Sequence, residues 1–187
     1  LDIKMLLSKA IEFHNKGNIE EAQKYYEEVR KVDKNNPVCN TNLAIIFKQK
    51  NKVSEAIELY KKSILVNRQF IHTYINFSSL LIEIKDYKQA LDVCKNGLEI
   101  EPKSENLLSN YSLTEYLIGN FLKAKETASK ANISYPQNIK IKSILLNSAY
   151  KLNDEKFIDT FISDLFKGEI NKKEINFFIA KCRLMNN

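Results

Sequence analysis

Glycine and proline, the residues that most often interrupt helices, are scarce: the 187 residues include only four glycines and three prolines. Residues that favour helices fill most other positions, so the composition predicts a nearly all-α chain. Long apolar runs are also missing, since none approaches the roughly 20 residues that a membrane-spanning helix needs. We find no signal-peptide pattern either. The sequence therefore predicts a protein that does not use a membrane as its partner.

Cysteine is sparse and scattered. Cys39, Cys94 and Cys182 are odd in number, and they form neither a C-x-x-C pair nor a cluster with metal-ligand spacing. Such cysteines are typical of free thiols in a reducing compartment, so we expect a cytoplasmic protein without disulfides or a bound metal.

Arginine is nearly absent, with three residues against 26 lysines, although the net charge is +6. A positive charge raises the question of nucleic-acid binding. Arginine, however, is the residue preferred for phosphate and base-edge recognition. The lysines alternate with acidic residues, which indicates a solvated surface, and we expect no nucleic-acid partner.

Catalytic patterns are missing as well. His14 and His72 have no cysteine or carboxylate at ligand spacing, and there is no glycine-rich phosphate loop or nucleophile elbow. An enzyme needs convergent titratable groups in a pocket. We therefore expect no catalytic residues, no cofactor and no small-molecule substrate.

The prominent positive feature is a repeat. The segment KGNIEEAQKYY begins at Lys16, and related segments follow at steps of 34 residues, starting at Lys50, Ile84, Ile118 and, more weakly, Leu152. Apolar residues on both sides of each segment recur at helical spacing, so each copy reads as two antiparallel helices, A and B, joined by a tight turn. Glycine or asparagine at that turn favours a left-handed residue after helix A.

Small residues recur where the two helices of a copy should meet. Ala10 and Ala44 on helix A are expected to face Ala22 and Ala56 on helix B. Without bulky side chains, the helices can approach to the short end of the usual 8–10 Å separation.

Numbering each copy from 1 to 34 places position 1 at Ile3, Pro37, Ile71, Glu105 and Ile139. Position 8 is then small and position 20 is alanine in the first four copies. This pattern resembles the tetratricopeptide repeat. The resemblance implies an all-α, right-handed α-solenoid of antiparallel helix pairs, with five repeats plus a C-terminal capping helix.

We expect residues 1–187 to form a single solenoid domain. Its repeats are 3–36, 37–70, 71–104, 105–138 and a degenerate 139–170, followed by a capping helix or half repeat at 171–187. Eleven helices are predicted, near residues 2–15, 18–32, 37–49, 53–66, 70–84, 87–100, 104–117, 121–134, 138–151, 154–167 and 172–184.

Two features depart from the pattern. Leu146 and Ile158 hold the small positions of the fifth copy, so its two helices should splay apart. Glu115 holds position 11, which is apolar in the other full repeats, and a local shift that buries Tyr116 in its place is one way to accommodate it.

In the family that the chain resembles, helix A lines a concave groove through positions 2, 5, 6, 9, 12 and 13. Position 6 holds Asn42, Asn76 and Asn110. This ladder is similar to the one in the superhelical repeats of O-linked N-acetylglucosamine transferases, whose asparagines hold peptide ligands. A packing role within each repeat remains the alternative. The other candidate peptide-binding residues in the groove are Ile45, Ile75, Leu113, Tyr116 and Lys48.

The function predicted first is a non-catalytic protein–protein interaction module that binds an extended peptide segment of a protein partner. The alternative is an accessory repeat region of a larger bacterial glycosyltransferase or sulfotransferase, because the chain starts at Leu1 and not at methionine. RNA binding by a related helical repeat is a weaker third hypothesis, opposed by the 34-residue phase and the scarcity of arginine.

Overall fold

The computed structural model describes residues 2–167, and these residues form ten α-helices and no β-strand. The helices are α1 (Ile3–Asn15), α2 (Ile19–Val32), α3 (Pro37–Gln49), α4 (Val53–Val66), α5 (Ile71–Glu83), α6 (Tyr87–Ile100), α7 (Glu105–Leu117), α8 (Phe121–Ser134), α9 (Ile139–Lys151) and α10 (Glu155–Lys167). Every bound lies within one residue of its prediction, which confirms the all-α helical repeat. The eleventh predicted helix lies outside the described residues.

The chain divides into two compact units, and the boundary between them lies between Glu83 and Ile84. The N-terminal unit contains α1–α5, and the C-terminal unit contains α6–α10. In the N-terminal unit each helix packs on the next, and α3 also contacts α5. In the C-terminal unit the sequential pairs pack in the same way, and α7 also contacts α9. Two successive A helices are therefore neighbours in each unit, α3 with α5 and α7 with α9.

Short polar side chains start many of these helices. Asp2, Asn18, Asn36, Asp86 and Asn138 each accept a hydrogen bond from a backbone N–H in the first turn. Each such cap satisfies a donor that has no partner inside the helix, and contributes about 1 kcal/mol. The repeat therefore carries its helix-start signals in its own sequence.

Helix A ends in a left-handed residue in all five copies. These residues are Gly17 (φ 74°), Asn51 (φ 58°), Lys85 (φ 63°), Gly119 (φ 88°) and Asn153 (φ 52°). The left-handed turn expected from glycine and asparagine is confirmed, and it extends to a lysine, for which this conformation is costly.

The small residues lie in the core as expected. Ala10, Ala22, Ala44 and Ala56 are fully buried in the N-terminal unit, as is Ala124 in the C-terminal unit. Large aromatic side chains are buried as well, and the rings of Tyr60 on α4 and Phe77 on α5 stack with their centroids 5.3 Å apart.

The core of the C-terminal unit contains Ala124, Ala128, Ala131, Ile141, Ile144 and Leu145. Leu146 and Ile158 are both buried in a second cluster with Ala149. Both bulky residues at the small positions of the fifth copy are therefore accommodated inside the fold. The wider separation of α9 and α10 that they favour stays a prediction.

Glu115 is accommodated differently from the suggestion made on the sequence. It stays buried, at 5% exposure, while Tyr116 is only partly buried. Asn120 Nδ2 donates a hydrogen bond to Glu115 Oε2 at 2.9 Å. Glu115 is also a hydrogen-bond partner of Tyr111, and burial together with this contact raises the pKa of Tyr111 to about 12. The carboxylate is thus held by polar partners, as buried charged groups require.

Cys39 and Cys94 are buried and are not in disulfides. Burial raises the pKa of the Cys39 thiol to about 12, so this side chain stays a neutral thiol at physiological pH. The free-thiol prediction is confirmed for these two residues, and Cys182 lies outside the described range.

Candidate functional site

Two of the three ladder asparagines lie on adjacent A helices of the N-terminal unit. Asn42 is on α3 and Asn76 is on α5. Asn42 Nδ2 donates to the carbonyl of Val38 at 3.0 Å, and Asn76 Nδ2 donates to the carbonyl of His72 at 2.9 Å. In both cases the side-chain amide is hydrogen-bonded to the preceding turn of its own helix, so both side chains take the same orientation.

This local hydrogen bond leaves part of each amide available. A side-chain amide has two N–H donors and an acceptor oxygen. Within residues 2–167, neither Asn42 Oδ1 nor Asn76 Oδ1 accepts a hydrogen bond, and each residue is only partly buried. Each amide can therefore offer one donor and one acceptor to a ligand without giving up its own anchor.

The third ladder asparagine is in a different situation. Asn110 on α7 is buried, at 5% exposure, and its Oδ1 accepts a hydrogen bond from Lys140 Nζ at 3.1 Å. Lys140 lies in the first turn of α9, the next A helix of the same unit. The three asparagines are equivalent in the repeat but not in their contacts, and the sequence pattern did not single out Lys140 as the partner of Asn110.

The predicted apolar neighbours are half-buried. Ile45 and Ile75 lie on the same helices as Asn42 and Asn76. Leu113 and Tyr116, on α7, pack against the main core cluster of the C-terminal unit. The Tyr116 ring also lies 5.4 Å from the Phe121 ring. These two residues support the core, and only part of each surface is open to a ligand.

Lys48 has a partner in the same unit. Its Nζ lies 2.5 Å from Glu83 Oε2, and both side chains keep substantial exposure to solvent. An exposed ion pair of this kind contributes only about 0–1 kcal/mol. A ligand carboxylate can compete with Glu83 for Lys48 at small cost.

The two histidines lie on separate helices beside aromatic rings. His14 on α1 meets Tyr26 edge-on with centroids 6.1 Å apart, and desolvation lowers the pKa of His14. His72 on α5 meets Phe70 at 5.5 Å. In the described part of the chain, no three His, Cys, Asp or Glu side chains lie close enough to hold a metal ion.

Residues 2–167 also contain no helix with the length and apolar character needed to cross a bilayer.

The sequence profile of the tetratricopeptide repeat matches residues 3–36, 39–70 and 71–104, together just over half of the chain. These are the first three of the predicted repeats, with the second starting two residues later than predicted. The structure extends the same helix pattern through α7–α10, beyond the matched residues.

Solved structures with similar folds include PilF of Pseudomonas aeruginosa, 15% identical, with a TM-score of 0.79 over 98% of this chain and 86% of that chain. MamA from Desulfovibrio magneticus RS-1 (residues 41 to the end) is 20% identical, with a TM-score of 0.77 over 88% of this chain and 93% of that chain. At these identities the likeness shows the fold alone.

Among curated proteins, the chain is 23% identical over 168 residues to the human protein named Protein RRP5 homolog. The match covers 88% of this chain and 9% of that protein, so the chain spans less than a tenth of the curated relative's length.

Proposed function

Because the chain belongs to the tetratricopeptide repeat family, we propose that it is a non-catalytic protein–protein interaction module that binds an extended peptide segment. The ligand lies along the A-helix face of one unit, which we define as the side chains at positions 2, 5, 6, 9, 12 and 13 of each helix A in that unit. In the N-terminal unit Asn42 and Asn76 hold the peptide backbone, and the residues beside them contact ligand side chains. Asn110 holds the equivalent position in the C-terminal unit, where its Oδ1 is occupied by Lys140.

The observation that carries this proposal is the shared orientation of Asn42 and Asn76. Each donates one N–H to its own helix and keeps an acceptor and a second donor for a partner. A peptide backbone presents the complementary groups whatever its sequence. Neighbouring helices lie about 8–10 Å apart, and an extended peptide rises about 3.3 Å per residue, so one ladder step corresponds to about three ligand residues.

Backbone contacts alone give weak binding. Two amide contacts at about 0.5–1.5 kcal/mol each contribute roughly 1–3 kcal/mol, whereas micromolar affinity requires about 8 kcal/mol. The remainder must come from side-chain contacts, for which Ile45, Ile75, Leu113 and Tyr116 are the apolar candidates. We expect these four residues to determine which peptide sequences bind.

Charge should bias the choice of ligand. Lys48 is held by an exposed carboxylate, and Lys140 is held by the neutral Asn110 side chain. Both amino groups can exchange these partners for a carboxylate of the ligand. We therefore propose that acidic peptides bind more tightly than basic ones.

The same proposal includes two further points: the protein is not an enzyme, and it is located in the cytoplasm. His14 and His72 lie on α1 and α5 against aromatic rings, which suits packing better than proton transfer. The buried thiols of Cys39 and Cys94 favour a reducing compartment, and we propose the cytoplasm.

We propose as the alternative that the chain is an accessory region of a larger protein. The human relative is much longer, since the match covers only 9% of it, and this supports a place within a longer chain. A bacterial glycosyltransferase or sulfotransferase as that larger protein is the alternative taken from the sequence. The length and reading frame of the native gene would decide between the two.

To test the peptide proposal, ligands are selected from a random peptide library with the wild-type chain, and their affinities are measured by fluorescence anisotropy. Asn42→Ala and Asn76→Ala should each weaken binding to the N-terminal unit roughly 2- to 10-fold, the equivalent of one net hydrogen bond. Methylating the ligand's backbone amides should weaken binding of the wild type in the same way. Asn96→Ala, at an exposed site on α6, is the matched control and should bind normally.

Circular dichroism of each variant distinguishes a peptide-binding role of the asparagines from a structural one. Unchanged binding by the double variant Asn42→Ala, Asn76→Ala would refute the proposal. So would a loss of helicity with binding that follows only the folded fraction, because the asparagines would then be structural.

A further inference from the structure

Two lysines of the described chain donate to a side-chain amide oxygen, Lys50 to Gln23 and Lys140 to Asn110, and of these two amides only that of Asn110 is buried. The Lys140 side chain as a whole is exposed, but Nζ donates to Oδ1 of Asn110, a residue that is only 5% exposed on the neighbouring helix α7. The amino group is therefore partly withdrawn from water while the rest of the side chain stays accessible.

Among the described residues, no carboxylate forms an ion pair with the Lys140 amino group to offset its partial removal from water. The ion pairs found within residues 2–167 include those of Lys16, Lys24, Lys31, Lys48, Lys123 and Lys125, and Lys140 forms none of these pairs. Glu105, whose carboxylate lies beside the start of α9, accepts a hydrogen bond from Asn138 Nδ2 at 2.7 Å. The only hydrogen-bond partner of Lys140 in this part of the chain is a neutral amide.

The position of Lys140 in α9 also disfavours the charged ammonium form of its side chain. Lys140 is the second residue of α9, where the positive end of the helix dipole disfavours an ammonium group. Desolvation lowers the pKa of Lys140 below its ordinary value of 10.5, and the nearby Cys94 thiol opposes this only in part. For contrast, the contact with Glu21 raises the pKa of Lys24.

We propose that Lys140 is an acylation site of this protein, modified by small activated acyl donors such as acyl phosphates and acyl thioesters. An uncharged amine is the reacting form, and a site that disfavours the ammonium form supplies more of it at neutral pH. Lys140 combines this property with an exposed side chain. The inference goes beyond peptide binding and does not depend on it.

The reaction needs no oxidant, reductant or catalytic group. The lone pair of Nζ attacks the acyl carbonyl carbon and forms a C–N bond. The C–O bond to phosphate or the C–S bond to the thiol breaks, the phosphate or thiolate leaves, and one Nζ proton passes to water. The amide product is uncharged and keeps one N–H for Asn110 Oδ1, so it suits the helix N-terminus better than the ammonium does.

The test measures acetylation of each lysine by mass spectrometry in the folded chain at pH 7.5. One arm uses acetyl phosphate and the other uses acetyl coenzyme A. Lys140 should react about threefold or more faster than the exposed lysines Lys4 and Lys130 in at least one arm, and the faster arm identifies the donor class. No preference for Lys140 in either arm overturns the proposal.

A matched pair of variants distinguishes the electrostatic cause from simple access. Asn110→Asp puts a carboxylate beside Nζ, and Asn96→Asp adds the same charge at an exposed site on α6. Asn110→Asp should slow acetylation of Lys140 at pH 7.5, and the difference in rate from wild type should narrow as the pH rises toward 10. Asn96→Asp should leave the rate of acetylation unchanged. Equal rates in wild type and Asn110→Asp, or faster reaction at Lys142, would overturn the assignment, provided that circular dichroism shows both variants folded.

Discussion

The hydroxyl of Thr41 on α3 lies 2.7 Å from the hydroxyl of Thr73 on α5. Both lie 2.9 Å from the hydroxyl of Ser63 on α4, which also contacts the carbonyl of Pro37 at 3.0 Å. All three side chains are buried. Three hydroxyl hydrogens serve four contacts, so one contact always lacks a hydrogen. The group joins three helices of the N-terminal unit through one shared network.

We expect the two threonines to be coupled in their effect on stability. Thr41→Val or Thr73→Val keeps the shape and should cost about 0.5–1.5 kcal/mol in urea unfolding, because the remaining hydroxyls can still pair. The double variant should cost measurably less or more than the sum of the two. Ser79→Ala, at an exposed hydroxyl on α5, is the control. Additive costs would show that the hydroxyls act independently.

Replacing Lys85, which has a left-handed backbone conformation, with glycine should stabilise the fold. A non-glycine residue in this conformation costs about 1–2 kcal/mol, and part of that is offset because glycine makes the unfolded chain more flexible. Lys85→Gly should therefore raise the free energy of unfolding by roughly 0.5–1 kcal/mol. A lower melting temperature for this variant would contradict the expectation.

Gly119→Ala is the reverse experiment. A Cβ at this residue meets nothing within 4 Å, so the change reports backbone conformation and not a clash. We expect it to destabilise the chain by about 1 kcal/mol. An unchanged melting curve would show that the turn relaxes to another conformation without cost.

Acid should weaken the contact between α8 and the start of α10. Asp154 pairs with Lys125, whose Nζ also lies 4.3 Å from the centroid of the Phe157 ring, and Asp154 accepts from Phe157 N at 3.2 Å. The hydrogen bond with Lys125, followed by the backbone hydrogen bond, lowers the pKa of Asp154 below its ordinary value of 3.8.

A carboxyl whose pKa is lower in the folded state stabilises it above the unfolded pKa and loses that effect as the pH falls through the folded value. We expect wild type to melt higher than Asp154→Asn at pH 7, with the gap closing below about pH 4. Asparagine still caps the helix, so the difference reports the charge. A gap that is constant with pH would show that the carboxylate charge is not responsible.

Features that depend on neighbouring residues in the sequence were predicted correctly, whereas contacts between side chains on different helices were not. Helix bounds and the left-handed turns depend on residues within one turn of each other, so the pattern around Gly17 and Asn51 was enough to place them. Buried alanines at positions 8 and 20 followed from the 34-residue period in the same way. Ladder residues were placed correctly on helix A, but their contacts were not foreseen.

By itself, the sequence determined the all-α repeat, its period and the residues that close each helix pair, because periodicity and turn chemistry are local properties. Only the tertiary structure decided that Glu115 stays buried beside Asn120, that Lys48 pairs with Glu83 and that Lys140 reaches Asn110. Lys140 and Asn110 are 30 residues apart, on helices that meet only after the intervening helix α8 has packed. Partners of that kind depend on side-chain reach between neighbouring helices, which no local pattern encodes.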